Sequence, residues 1–307
     1  MKKSKRIPNI IINIMFCLGS LVFILPFVLI ISASFSDEQT LLSEGYKLIP
    51  SVFSTEAYKY VFRNPQQLLD SYKVTIIYSI VATVLGVVVM AMLAYPLSRP
   101  NYKYKKIATF FIFFTMLFSG GLIPTYIWIT RYLHLGDTIW VYILPCLVNA
   151  FHVIVIRSFF QGLPQALMES AKIDGASELQ TFFKIVMPYY YYDVTFKKPL
   201  SKPVIATISL LTLLSRWNDW NTALIYIKSS NLYSLQYLLQ KILREAEFVK
   251  NMADSSPVTG VDLDLSNLPS VTIRFAMCMV AAGPMLIIFP FFQKYFAKGL
   301  TVGAVKG

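Results

Sequence analysis

The stretch Gly162-Leu163-Pro164-Gln165-Ala166-Leu167-Met168-Glu169-Ser170-Ala171-Lys172-Ile173-Asp174-Gly175-Ala176-Ser177-Glu178-Leu179-Gln180-Thr181-Phe182-Phe183-Lys184-Ile185-Val186-Met187-Pro188 decides how the chain is read. Pro164 suits the first helical position, where its missing N–H is no loss. Gln165 to Ile173 consists largely of good helix formers, and Gly175 fits a C-terminal turn with positive φ. Ser177, followed three residues later by Gln180, reads as a capping box that opens a second helix. Leu179, Phe182, Phe183 and Val186 recur at helical spacing and are expected on one face. Met187-Pro188 ends that helix. Two short helices therefore meet at a glycine. The first presents Glu169 and Lys172 beside the small residues Ser170 and Ala171. Such a surface suits insertion into a protein groove better than burial in lipid, although an interfacial amphipathic linker has a similar outline.

On either side lie apolar runs. Six are close to the roughly 20 residues a helix needs to cross a bilayer: residues 10–34, 74–97, 107–129, 138–160, 203–227 and 271–295. Of the 307 residues 56% are hydrophobic and only 14% charged, and the mean hydropathy is +0.57. A soluble domain carries about 25% charged residues. This chain has too little charge to coat a water-facing surface, which excludes a soluble globule, a disordered chain, a coiled coil and a secreted disulfide scaffold. No run alternates with period two as a barrel strand would. The expected fold class is an all-α integral membrane protein with six transmembrane helices and a helix-turn-helix loop. The first run follows Lys2, Lys3, Lys5 and Arg6, like a signal peptide, but it exceeds the about 7–15 residues of a signal core and reads as a retained span. Pro26, Pro96, Pro124, Pro145 and Pro284 fall within or at the ends of runs, where neighbouring helices re-satisfy freed backbone groups.

The net charge of +12 has a positional explanation that needs no nucleic acid. Lys and Arg mark cytoplasmic loops. They cluster at the N-terminus, at Arg99, Lys103, Lys105 and Lys106, at Lys172, Lys184, Lys197, Lys198 and Lys202, and at Lys294, Lys298 and Lys306. The alternate connections hold the acids Asp37, Glu38, Glu44, Glu56 and Asp70, then Glu245, Glu247, Asp254, Asp262 and Asp264. Both termini and the 162–188 loop are expected in the cytoplasm. The chain then divides into an N-terminal segment 1–9, a first span 10–34, an outer loop 35–72, a transmembrane body 73–296 and a tail 297–307.

Few residues have the look of a chemical site. Cys17, Cys146 and Cys278 sit inside apolar runs, and His134 and His152 are too far apart to read as a ligand pair. No metal site and no catalytic residue is expected. Trp217, Asn218, Asp219, Trp220 and Asn221, next to Arg216, lie in the outer half of the fifth run. Aromatic faces with amides suit a sugar passing through. The same residues also fit an outer aromatic belt with Arg216 and Asp219 as an i,i+3 pair.

The 162–188 loop resembles a known motif. Glu169-Ser170-Ala171, three residues, Gly175, nine residues, then Ile185-Val186-Met187-Pro188 match the "EAA" loop of binding-protein-dependent ABC importer permeases, whose pattern is E-A-A, three residues, G, nine residues, I-x-L-P. Ser170 stands for the central Ala and Met187 for the Leu. Pro199–Thr207, Trp217-Asn218-Asp219-Trp220 and Asn231–Leu239 resemble the carbohydrate branch of that family. The ending, residues 292–307, is similar to the second permease of maltose-type oligosaccharide importers, and nearest to Gram-positive polysaccharide and oligosaccharide permeases. One departure is an insertion at 189–199, rich in Tyr and Lys, between the motif's proline and the stretch leading into the fifth run. Insertions of this size in a surface loop are thermodynamically cheap.

The resemblance implies a type I ABC importer transmembrane domain in a bacterial plasma membrane, one half of a pore completed by a second homologous permease. It implies two cytoplasmic ATPase subunits, which bind ATP and Mg, and an extracellular solute-binding lipoprotein. The chain lacks a G-x-x-x-x-G-K-[S/T] phosphate loop and is not expected to be an enzyme or to hold a cofactor. By resemblance, Glu169, Ser170, Ala171, Lys172, Asp174, Gly175, Ala176, Ile185 and Pro188 form the ATPase-coupling element, with Glu169 pairing a basic residue of the ATPase. Phe182 and Phe183 would pack on this chain's own helix ends, and residues 298–307 would either reach the ATPase or fray. The competing class, an ion-coupled secondary transporter, wants a buried acidic or histidine relay and inverted repeats. Only Asp219 and His152 approach that requirement.

Overall fold

The computed structural model describes residues 6–187, 190–192, 197–199, 202–255 and 270–303. Among these the chain is almost wholly helical, as the apolar runs require. Three helices are long and apolar enough to cross a membrane: Ile12–Ser34, Pro65–Ser98 and Ser270–Phe291. Two further pairs qualify only together, bent by 111° between Lys105–Leu117 and Leu122–Tyr132 and by 49° between Trp140–Cys146 and Ala150–Gln161. The expected fifth run is a shorter apolar helix, Val204–Trp217. The described residues thus hold three helices of spanning length, or five spans if each bent pair counts as one, and the helix of the expected fifth run falls short of that length.

The breaks have local causes. Helix α5 (Lys105–Leu117) ends where Phe118 turns extended, and Gly121, with φ +84°, opens α6 (Leu122–Ile127). Glycine takes this left-handed conformation without steric cost. Helix α7 (Trp140–Ile143) tightens into a 3-10 turn at Leu144–Cys146 around Pro145, and Asn149 then caps α8 (Ala150–Gln161) by accepting from the His152 N–H. The fifth run is interrupted at residues 218–220, between α11 (Lys202–Trp217) and α12 (Asn221–Tyr226).

The chain forms two compact units. The first comprises residues 1–68 and 238–285 and holds α1 (Arg6–Ser34), α2 (Glu38–Glu44), α3 (Glu56–Val61), most of α13 (Leu235–Ser255) and the first half of α14 (Ser270–Gly303). In it the span Ile12–Ser34 buries none of its most apolar window, as a lipid-facing helix should. Residues 35–64, expected only as a loop, fold into α2 and α3, and Phe35 stacks on Phe53 and Tyr58. Glu38 accepts hydrogen bonds from the N–H groups of Val271 and Thr272 at the start of α14.

The second unit comprises residues 69–237 and 286–307. Its buried cluster joins α4 (Pro65–Ser98), α8, the 162–187 segment and α11 through residues such as Met90, Tyr95, Ile156, Phe160, Phe182 and Ile208. At the other end of α4, Tyr78 stacks on Tyr142 with centroids 4.4 Å apart, and their hydroxyls donate to the carbonyls of Arg216 and Leu232. Gly86 lies where a Cβ would meet the Leu147 carbonyl at 3.1 Å, so a larger residue would need the Leu147 backbone to shift by a few tenths of an ångström. The insertion forms a two-stranded antiparallel ribbon, β1 (Tyr190–Tyr192) with β2 (Lys197–Pro199), pairing Tyr191 with Lys198.

Candidate functional site

The 162–187 segment folds as two short helices, α9 (Gln165–Ile173) and α10 (Glu178–Thr181). Pro164 takes the N-cap of α9 rather than its first helical position. Gly175 adopts φ +76°. Its N–H donates to the Lys172 carbonyl, and the Ala176 N–H to that of Ala171. This paired pattern is the left-handed helix terminus for which glycine is preferred. Ser177 and Gln180 form the capping box reciprocally, each side chain taking the other's backbone N–H. After one turn the second helix widens into a π turn, Phe182–Val186.

The expected single apolar face is divided by the structure. Phe182 and Val186 are buried, whereas Leu179 is 63% exposed and Phe183 is also exposed. The reason is geometric: residues four apart keep one side of a helix, so 182 and 186 point inward while 179 and 183 point outward. Phe183 packs edge-on against Phe182 rather than inside the core. Ala171 likewise turns inward at 4% exposure, together with Met168. The outward surface of α9 consists of Glu169, Ser170, Lys172 and, at its tip, Ile173, which is 86% exposed. Asp174 caps the C-terminus of α9 and is exposed. Ala176 is half-buried and Ile185 packs against the buried cluster. Pro188 lies outside the described residues.

Three residues absent from the sequence-based site organise this region. Glu178, at the start of α10, pairs with Lys172 of α9 at 3.0 Å and accepts a 2.8 Å hydrogen bond from the Tyr95 hydroxyl of α4. The Lys172 ammonium, and then the Tyr95 hydroxyl, hold the Glu178 carboxyl below the usual carboxylate range. Arg99 lies over the Tyr95 ring at 4.2 Å and donates to the Met168 sulfur at 3.2 Å. A cleft of 540 Å³ opens between the end of α4 and the two short helices, lined by Arg99, Asn101, Met168, Glu169, Lys172 and Leu179 among others. Glu169 alone of these carboxylates has no partner among the described residues. The signal that would have found Tyr95 and Arg99 is their i,i+4 spacing at a helix end. Nothing in the sequence says which distant element they meet.

The second candidate cluster behaves differently. Trp217 is buried, while Asn218, Trp220 and Asn221 are exposed. Asp219 accepts from the N–H and hydroxyl of Thr222, fastening the first turn of α12, and lies 3.7 Å from Arg216. Asn218 receives a hydrogen bond from Gln236. Arg216 and Asp219 thus form the local i,i+3 ion pair that their spacing allows. His152 lies 3.5 Å from the Thr212 hydroxyl. No group of His, Cys, Asp and Glu among the described residues is arranged to hold a metal ion.

No protein-family model matches the chain. It is 37% identical over 294 residues to the polygalacturonan/rhamnogalacturonan transport system permease protein YtcP of Bacillus subtilis (strain 168), covering 94% of each chain. It is 39% identical over 296 residues to protein LplC of the same organism, covering 96% of this chain and 94% of that one. Among solved structures it resembles a bacterial ABC transporter involved in the import of the acidic polysaccharide alginate, with a TM-score of 0.73, 27% identity, and coverage of 96% of this chain and 99% of the other. The full-length identity and the matching helical fold place this chain in the family of ABC transport-system permeases.

Proposed function

We propose that the chain is the permease subunit of an ABC importer that carries a carbohydrate, an oligosaccharide by its relatives' cargoes, across a bacterial plasma membrane. It spans the membrane six times if each bent pair and the short α11 region count as one span, with both termini in the cytoplasm. A second homologous permease completes the pathway, a pair of ATPase subunits binds ATP and Mg, and an extracellular solute-binding lipoprotein delivers the sugar. The relatives include a polygalacturonan/rhamnogalacturonan permease and an alginate importer, which favours a sugar polymer fragment over an ion-coupled small solute.

The 162–188 loop is the element that meets the ATPase. The observation that carries this reading is its outward surface: Glu169, with no partner among the described residues, beside Ser170 and Lys172, with Ile173, Leu179 and Phe183 exposed. Apolar side chains of this size, ringed by charge, mark a protein-binding surface. A carboxylate without an internal partner is free to take a basic residue of that protein. Closure of the ATPase dimer on ATP would displace the docked helices as a rigid body and change which side of the membrane the pathway faces. Asn218, Trp220 and Asn221 are offered as contacts to the passing sugar, with amides for hydroxyls and the indole for C–H faces.

The test is co-purification in mild detergent with sugar uptake measured in parallel. Glu169→Lys is expected to lose the ATPase subunit and to lower uptake at least about tenfold, the effect of one like-charge clash in an interface, while the protein remains in the membrane. Full retention of the ATPase and of uptake would remove the docking role. Uptake that survives ATP depletion but collapses with the ion gradient would establish the secondary transporter instead.

A further inference from the structure

We propose that α4 is a direct receiver of the loop's motion, with Tyr95 and Arg99 as the positioning residues that clamp it to both halves of the loop. The inference rests on the docking role of the 162–188 loop. The chain enters the loop from α8 and leaves it toward α11, so those two helices are its covalent neighbours. The exit toward α11 passes through residues 187–201, which include the β1–β2 ribbon. By contrast α4 is distant in sequence yet touches each half through its own side chain.

Tyr95 and Arg99 stand one turn apart at the end of α4. The Tyr95 hydroxyl donates to Glu178 of α10 at 2.8 Å, and its ring lies 5.3 Å from that of Phe182. Arg99 rests on the Tyr95 ring at 4.2 Å and reaches Met168 of α9 at 3.2 Å. Lys172 closes the figure by bridging α9 to Glu178 across the Gly175 turn. Tyr95, Met168 and Phe182 are all buried, as are Ala94 and Leu97 beside them on α4. A force on α9 or α10 therefore meets close-packed atoms of α4. Such contacts transmit displacement because packed interiors deform little. Glu178 is the crossing point, since one carboxylate holds Lys172 of the first half, belongs to the second, and binds the hydroxyl of α4.

The experiment reconstitutes the complete importer (this chain, the second permease, the ATPase and the binding protein) in liposomes and reads sugar imported per ATP hydrolysed. Tyr95→Phe keeps the ring and its packing and removes only the hydroxyl. It is expected to lower that ratio about 3- to 10-fold, the range of coupling mutations away from a ligand, with the ATPase still bound. Glu178→Ala, which also releases Lys172, should lower it at least as far, and the double variant should fall no further than Glu178→Ala, because that variant already lacks the Tyr95 link. An unchanged ratio in Tyr95→Phe, or losses that multiply in the double variant, would overturn the clamp. Glu169→Lys serves as the control. If it loses the ATPase while Tyr95→Phe leaves the ratio intact, only the α4 link fails. If it retains the ATPase, the docking role fails, and the clamp with it.

Discussion

Glu38 and Glu169 are the same residue in opposite situations. Glu38 is buried and accepts from the N–H groups of Val271 and Thr272, from the hydroxyls of Ser270 and Thr272, and lies 3.7 Å from the Lys250 ammonium. It neutralises the otherwise unpaired first turn of α14, where a negative charge also complements the helix dipole. Glu169 is exposed on α9 with no partner among the described residues. A carboxylate satisfied inside its own chain stabilises the fold. A carboxylate left open, in a loop whose other glutamate is doubly bound, contributes nothing to that fold and is available to another chain.

The largest effect should separate these two residues. Glu38→Ala strands several buried donors and is expected to cost about 3 kcal/mol, since each buried unsatisfied group costs about 1–3 kcal/mol. Glu169→Ala should stay within about 0.5 kcal/mol, as surface changes do. Thermal unfolding of both variants in one detergent reads the difference, and equal losses would break the comparison.

A smaller effect belongs to Gly175. Its φ of +76° is disfavoured for a branched residue, so Gly175→Val should destabilise the turn by about 1–2 kcal/mol. Space is not the issue, because nothing lies within 4 Å of a Cβ placed there. Faster proteolysis between α9 and α10 than in the parent would register the loosened turn, and an unchanged cleavage rate would show the loop to be held by its side chains alone.

The smallest effect is acid dependence through Glu178. Its folded carboxyl titrates below the ordinary 4.5. The stability it adds is therefore fully present above pH 4.5 and is lost as the pH falls through the folded value. Glu178 is well exposed, so the contribution is screened and modest. The melting-temperature difference between the parent and Glu178→Gln should narrow on going from pH 6 to pH 4. A constant difference would mean that the Tyr95 hydrogen bond, which glutamine also accepts, outweighs the Lys172 charge.

Much of the loop was legible because its signals are local. The Ser177–Gln180 capping box and the positive φ at Gly175 depend on residues within one turn of each other. The division of Leu179 and Phe183 from Phe182 and Val186 was not legible, because four apolar residues at helical spacing do not say which of two adjacent stripes meets the core. The breaks at Gly121 and Pro145 carry visible glycine and proline, but the bends of 111° and 49° depend on what the following helix packs against.

Composition and charge placement alone established a multi-span helical membrane chain, since 56% hydrophobic and 14% charged residues leave no soluble alternative. The spacing of Glu169, Gly175 and Ile185 alone pointed to the permease family. Only the tertiary structure decided that α4 holds the loop through Tyr95, Arg99 and Glu178, that Ala171 turns inward, and that Asp219 fastens α12. Those outcomes depend on pairs such as Tyr95 and Glu178, which are 83 residues apart. Contacts at that separation arise from how helices pack, and no local pattern in the chain records them.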